Sequence, residues 1–259
     1  MTFQIGREVL RVLKILQAHP EGLRAKEIAE KLALPSRLVR RSLTLLEEEG
    51  FVTLDPLSRR HLLRYPHPFL SLPEPPDDPL FYQDLTERAF WRTGFRAYAL
   101  TVRPWGLHLE ATSGNRGQQL WPFGEGESIT PHAHASAEGR AILAYLREEA
   151  LRAHLHRFPP RPLTSYTPQS VAEVLSRLEE ARRLGFARAR GEVIPDRCGL
   201  AVPLRTGTGE AFGALGLSLP LGRTCALEEP ANARACRRCL DLVPVLKEVV
   251  GEVWPFSEA

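Results

Sequence analysis

The stretch Leu34-Pro35-Ser36-Arg37-Leu38-Val39-Arg40-Arg41-Ser42-Leu43-Thr44-Leu45-Leu46-Glu47-Glu48-Glu49-Gly50 reads as one helix with two opposed faces. Val39, Leu43 and Leu46, with Ser42 beside them, recur at the spacing of a buried helical stripe. Arg37, Arg40, Arg41 and Thr44 follow the same period on the other side. Ser36 is placed to accept the first unpaired backbone N–H groups, which predicts a helix from about Arg37 to Glu49 ended by Gly50.

Upstream, Ile5, Val9, Leu13 and Leu16 mark one face of a helix over Phe3–Ala18, stopped by His19-Pro20-Glu21-Gly22. Ala25, Ile28, Ala29 and Leu32 mark the inner face of the next. Only Ala33-Leu34-Pro35-Ser36 separates that helix from the arginine-bearing one, which is the spacing of a helix-turn-helix whose second helix enters the DNA major groove. Guanidinium suits that position because its planar fork pairs with guanine or grips phosphate.

Downstream, the apolar runs Phe51–Leu54 and His61–Tyr65 flank Asp55-Pro56-Leu57-Ser58-Arg59-Arg60. They predict a hairpin wing that presents Arg59 and Arg60 to the backbone or minor groove. The DNA-binding set is then Ser36, Arg37, Arg40, Arg41, Thr44, Arg59 and Arg60. A solvated arginine face on a winged helix also fits a protein–protein adaptor. Salt dependence separates the two, because counterion release makes DNA affinity fall steeply as salt rises.

The 259 residues are 43% hydrophobic and 25% charged, which excludes wholesale disorder and leaves room for two domains. Charge is uneven: the first 65 residues hold 12 of 34 Lys+Arg and 8 of 31 Asp+Glu, a net +4, whereas the remainder nets −1. A basic head on a near-neutral body fits a nucleic-acid reader carrying a separate sensor. No apolar run reaches the ~18 residues of a membrane span, and Met1–Glu8 lacks a basic stretch leading into an apolar one. The expectation is a cytoplasmic protein with no membrane partner. Six prolines between Tyr65 and Pro79 preclude a continuous helix there. The expected division is residues 1–65 as a winged helix-turn-helix (mainly α, with a β-hairpin wing), 66–79 as a stiff linker and 80–259 as the sensor.

In the sensor the pattern predicts a helix over Leu80–Arg92 and strands over Arg96–Val102, Gly106–Thr112 and near Gln118–Pro122. A helix containing Ala141, Ile142, Leu143 and Leu146 follows. Another, capped by Thr167 and begun by Pro168, buries Val171, Leu175, Leu178 and Ala181 and stops at Gly185. Strands over Phe186–Glu192, Cys198–Leu204 and Ala211–Leu219 precede a last helix over about Ala231–Val253. Sheet plus flanking helices makes an α+β ligand-sensing module.

Catalysis is not expected. Ser136 and Ser218 could be grouped with His132, His134 and Asp196, but they lie in Ala-Ser-Ala and Leu-Ser-Leu, without the Gly-x-Ser-x-Gly elbow. His132 and His134 fit hydrogen-bonded loop histidines, effector contacts or metal ligands. Cys236 and Cys239 form a Cys-x2-Cys pair, and Cys225 and Cys198 could complete a four-thiolate site for zinc or an iron–sulfur cluster. Plain thiols and a disulfide stay open beside it.

Taken in order, these pieces resemble the IclR family of bacterial transcriptional regulators. Gly22-Leu23, Leu34-Pro35-Ser36 and Leu46-Glu47-Glu48-Glu49-Gly50-Phe51-Val52 are similar to its DNA-binding core. Thr130-Pro131-His132-Ala133-His134-Ala135-Ser136-Ala137-Glu138-Gly139-Arg140-Ala141 is similar to its sensor signature, followed by Gly185-Phe186-Ala187, Glu192 and Leu200-Ala201-Val202-Pro203-Leu204. The resemblance implies a GAF-like effector-binding domain and a homodimer formed through the winged helices, often paired into tetramers on partly palindromic operator DNA. It also implies a small organic-acid or aromatic effector lined by Thr130, His132, His134, Glu192, Arg197, Gly199, Gly216 and Ser218. The chain departs from the family in carrying Asp196 where a glycine is usual, Gly216 where a small polar residue is usual, and a shorter, more Pro-rich linker.

Overall fold

The computed structural model describes residues 2–19, 21–63, 76, 78–103, 106–114, 128–221 and 237–254, which fall into two compact units dividing near residue 67. The expected linker, apart from Pro76, Asp78 and Pro79, and the expected strand at 118–122 lie outside the described residues.

The first unit is built on α1 (Thr2–Gln17), α2 (Ala25–Leu32) and α3 (Ser36–Glu48), followed by β1 (Val52–Leu54) and β2 (His61–Leu63). Val12, Leu16, Ile28, Val39, Leu43, Leu46 and Val52 close a single core. Three helices sharing one apolar centre fix the roll of each about its own axis. The two wing strands pair antiparallel, with Val52 opposite Leu63. Leu23 joins them through reciprocal backbone bonds with His61. Gly22 must be glycine here: its φ is +75° and a Cβ would lie 2.8 Å from the His61 carbonyl. Ser36 begins α3 but does not cap it; the cap position is Pro35, with no side-chain bond.

The second unit holds α4 (Pro79–Thr93), β3 (Arg96–Arg103), β4 (Gly106–Ser113), a 3-10 turn at Thr130–His132, α5 (Ala137–Leu143), α6 (Glu148–Arg157), α7 (Val171–Leu184), β5 (Ala187–Arg190), β6 (Arg197–Arg205), β7 (Ala211–Pro220) and α8 (Arg237–Val253). The strands form one five-stranded sheet in the order β4-β3-β7-β6-β5. The pairs β3–β7, β6–β7 and β5–β6 are antiparallel. Alternation along β6 sends Cys198, Leu200, Val202 and Leu204 into a core with Tyr82, Leu85 and Ala89 of α4 and Leu246, Val249 and Val250 of α8. The opposite face carries small residues so that α5 can lie close: a Cβ on Gly199 would sit 3.0 Å from that of Ala137.

In this unit two helix starts differ from expectation, and the helix expected to contain Leu146 ends at Leu143. Asp78 caps α4 through the Leu80 N–H with Pro79 next, which extends that helix by a residue at its start. Ser170, not Thr167, caps the helix ending at Gly185, so Val174, Leu178 and Ala181 are buried while Val171 and Leu175 are exposed. Thr167 is instead buried, and its hydroxyl donates to the Glu192 carbonyl at 2.6 Å. The helix α6 had no counterpart in the sequence expectation.

Gly139 holds α5 against the preceding turn: a Cβ would lie 2.4 Å from the Ala133 carbonyl oxygen and 2.5 Å from its Cα. Because both atoms are backbone, neither can yield. Gly139→Ala should destabilise the second unit by about 2 kcal/mol, roughly 4–8 °C in melting temperature, measured by thermal unfolding; an unchanged melt would contradict this close approach.

Candidate functional site

On α3 the buried stripe Val39, Ser42, Leu43 and Leu46 faces the core, so Arg37, Arg40, Arg41 and Thr44 are all exposed. Among the described residues none of these three guanidiniums has a carboxylate or carbonyl partner. The row is thus a set of outward cations free to meet an external anion.

The wing is more divided than its sequence implies. Arg59 is exposed and left-handed, with φ +56°. Asp55, buried beneath the turn, accepts from the N–H groups of Leu57 and Ser58 at 3.2 and 3.1 Å and from the Ser58 hydroxyl. Arg60 turns inward: it donates to the Gly22 carbonyl at 2.7 Å and pairs with Glu27 at 3.1 Å. Arg60, expected at the DNA, is held here as a brace between wing and α2. The cause is Glu27, which also accepts from the Arg24 N–H at 2.8 Å and so sits fixed at the start of α2.

The expected effector residues separate into distinct environments. Thr130 is buried; its hydroxyl accepts from the Leu107 N–H at 2.8 Å and lies 2.7 Å from the Ser128 hydroxyl. His132 is also buried. His134 Nε2 lies 2.9 Å from the Arg161 carbonyl, and burial pulls its pKa down to about 4, so the ring is neutral near pH 7. These groups pin the loop ahead of α5.

Glu192 belongs to a buried ion pair with Arg140. Arg140 also donates to the carbonyls of His134 at 2.7 Å and Arg188 at 2.6 Å. Burial, then the nearby Arg177, pulls the guanidinium down to about 9, and it remains charged at neutral pH. Removing one partner of such a pair strands the other charge and costs several kcal/mol.

Arg197, Gly199, Gly216 and Ser218 do share one place, the sheet face covered by α5. Arg197 donates to the Ser218 hydroxyl and carbonyl, both at 3.1 Å, and burial lowers its pKa. Register puts Arg96 opposite Ser218 and Tyr98 opposite Gly216 on this face. Over Gly216 lies the Glu138 carboxyl: a Cβ there would fall 2.1 Å from Glu138 Oε1. Gly216 is thus required by its neighbour. Glu138 Oε2 is buried without a hydrogen-bond partner among the described residues, and burial raises the carboxyl pKa to about 7. Tyr98 is raised to about 12 by burial, with Arg96, Glu138 and Arg197 as its charged neighbours.

Glu138, Arg140, Tyr98 and Arg96 were missed as site residues. The available signal was two charged side chains inside Ala-Glu-Gly-Arg-Ala, where every residue of α5 turns out to be buried. The Ser136 hydroxyl caps α5 through the Gly139 N–H, and that of Ser218 accepts from Arg197. Cys198 and Cys239 are buried in the same apolar core, while Cys225 and Cys236 lie outside the described residues. Among the described residues no group of three or more His, Cys, Asp or Glu is arranged to hold a metal ion.

Glu138 makes stability pH-dependent. Its folded pKa near 7 exceeds the ordinary 4.5, so the stability present below 4.5 is lost as pH rises through 7. His134 acts oppositely: stability present above 6.5 is lost as pH falls through 4. Glu138→Gln removes only the first contribution, so its stability relative to wild type should grow by roughly 3 kcal/mol between acid and alkaline conditions. Denaturant unfolding at pH 5 and pH 8 measures this; a pH-independent difference would contradict the burial of that carboxyl.

Comparison with known proteins places this geometry. The IclR helix-turn-helix domain matches residues 9–56, and the bacterial transcriptional regulator IclR C-terminal domain matches residues 126–243. The chain is 28% identical to the transcriptional regulator TtgV of Pseudomonas putida over 237 residues, 85% of this chain and 83% of that protein. It is 32% identical to the Pca operon regulatory protein of Acinetobacter baylyi over 123 residues, 48% of this chain and 38% of that longer protein. An IclR homolog from Microbacterium hydrocarbonoxydans, solved with 4-hydroxybenzoate, superposes with a TM-score of 0.56 at 19% identity, covering 96% of this chain and 97% of that one. Both matched domains, in the same order and over more than half of its length, make this chain a member of the IclR family of transcriptional regulators.

Proposed function

We propose that the protein represses or activates genes by gripping operator DNA with α3, and that a small organic or aromatic acid bound in the second unit changes that grip. The carrying observation is the exposed, unpaired row Arg37, Arg40 and Arg41 with Thr44 on the outer face of α3. Three fixed cations at helical spacing match phosphates and guanine edges along a groove. Arg59 extends the contact from the wing. The unit also exposes Leu10, Leu45 and Phe51, apolar groups that support self-association into a dimer, paired half-sites following from its two-fold symmetry.

For the effector, Arg197, half-buried beside Ser218 at the start of β6, supplies a cation, which favours a carboxylate ligand. The 4-hydroxybenzoate held by the Microbacterium homolog supports the same class. Access to DNA argues for work in the cytoplasm; no helix among the described residues is long and apolar enough to cross a membrane.

Reversing Arg40 and Arg41 together to Glu should abolish operator binding in gel shifts while circular dichroism stays native, because these side chains are exposed and hold no ion pair among the described residues. Unchanged affinity would sink the proposal. The two wing arginines should part company. Arg59→Ala should weaken operator binding and flatten the salt dependence by about one unit of slope per protomer without lowering the melting temperature. Arg60→Ala should instead destabilise the first unit by about 1–3 kcal/mol by leaving Glu27 and the Gly22 carbonyl short of a donor; equal effects of the two on stability would refute the brace.

A further inference from the structure

The sheet face under α5 runs from an enclosed end to a more open one. At the enclosed end Glu138 and Tyr98 are each 1% exposed; toward the other, Ser218 is 8% exposed and Arg197 is half-buried. Gly216 and Ser218 lie two positions apart on β7, so both point to the same side of the sheet. Glu138 lies over the first, and Arg197 donates to the hydroxyl of the second at 3.1 Å. Tyr98, opposite Gly216 on β3, stands among them, and the charges of Arg197 and Glu138 both act on its hydroxyl.

Two opposite charges on this face are left without an ionic partner. Glu138 Oε2 accepts from no donor, and no cation pairs with the carboxyl, among the described residues. Arg197 donates only to the hydroxyl and carbonyl of Ser218 and meets no carboxylate among those residues. The two do not pair with each other. Arg140, two positions along the same helix as Glu138, is by contrast fully provided for by Glu192 and two carbonyls. A buried acceptor without a donor carries its whole desolvation cost. A water molecule supplies a donor but no charge, whereas an ammonium supplies both. Glycine at 216 is what makes room for this carboxyl, so the face is shaped around it.

Resting on the effector reading above, we propose that Glu138 is the specificity-determining residue of this face and that the effector carries an ammonium as well as an acid group. Its carboxylate meets Arg197 at the open end, and the ammonium, at the far end of the molecule, meets Glu138 at the enclosed end. A simple acid leaves Glu138 as it is, and a hydroxy acid brings a donor without the charge. The proton affinity of the carboxyl reflects the same demand: burial holds it at about 7. At neutral pH about half of the molecules therefore hold there a proton that a ligand ammonium displaces.

Isothermal titration of the full chain at pH 7 with 4-(aminomethyl)benzoate, 4-hydroxybenzoate and benzoate tests it. The first should bind at least about tenfold more tightly than either of the others. Glu138→Gln should erase that preference, and Arg197→Gln should weaken all three. A second measurement needs no variant: in buffers of different ionisation enthalpy, binding of 4-(aminomethyl)benzoate to the unmodified protein should release roughly half a proton. Equal affinity for the three acids, a preference that survives Glu138→Gln, or proton uptake or no exchange with the amine ligand would each overturn the proposal and leave the carboxylate effector standing. Binding of none of the three would overturn that effector reading itself, and the proposal with it.

Discussion

The inward packing of Val39, Leu43 and Leu46 is the constraint on which the DNA-binding unit depends. Those three side chains meet Val12 and Leu16 of α1 and Ile28 of α2 in one core, and their burial sets the rotation of α3. Once that rotation is fixed, Arg37, Arg40 and Arg41 have no direction left but outward. Chemistry and packing are therefore one decision: a helix with a single apolar stripe cannot bury it without presenting the arginines. The wing is tied to the same frame through Leu23 and His61, and His61 Nδ1 lies 2.8 Å from Glu47 near the end of α3.

The second unit solves a different problem. Its sheet puts large apolar residues on the α4–α8 side and small ones on the α5 side, and the small ones admit a helix carrying Glu138 and Arg140 into the interior. Each buried charge is handled in its own way. Arg140 is neutralised by Glu192 and satisfied by backbone carbonyls, one of them that of Arg188 on the edge strand β5. Glu138 has no such partner among the described residues and shifts its proton affinity instead. A sensor domain needs polar groups that are held without being fully satisfied, and this face has them.

The elements that periodicity governs were legible in the sequence: the opposed faces of α3, the hairpin wing, and the alternation in β6 and β7. Caps were legible only to within a few residues, since Ser36, Thr167 and Ser170 all offer the same oxygen and only tertiary geometry chooses among them. The division between Arg59 and Arg60 was not legible, because the deciding partner, Glu27, lies 33 residues away. Nor were Glu138 and Arg140, whose burial comes from the fold around α5 and not from any local pattern. The effector set was legible as a family motif but not as a place: Thr130, His134 and Glu192 hold the frame, whereas Arg197, Gly199, Gly216 and Ser218 share a face.

The most direct measurement of the central claim is the salt dependence of operator affinity. If the outward guanidiniums of α3 and the wing neutralise phosphates in both halves of a dimer, the logarithm of the association constant should fall with the logarithm of salt concentration with a slope steeper than about −5. A slope near zero would mean that these cations do not face a nucleic-acid backbone, and would contradict the account at its root.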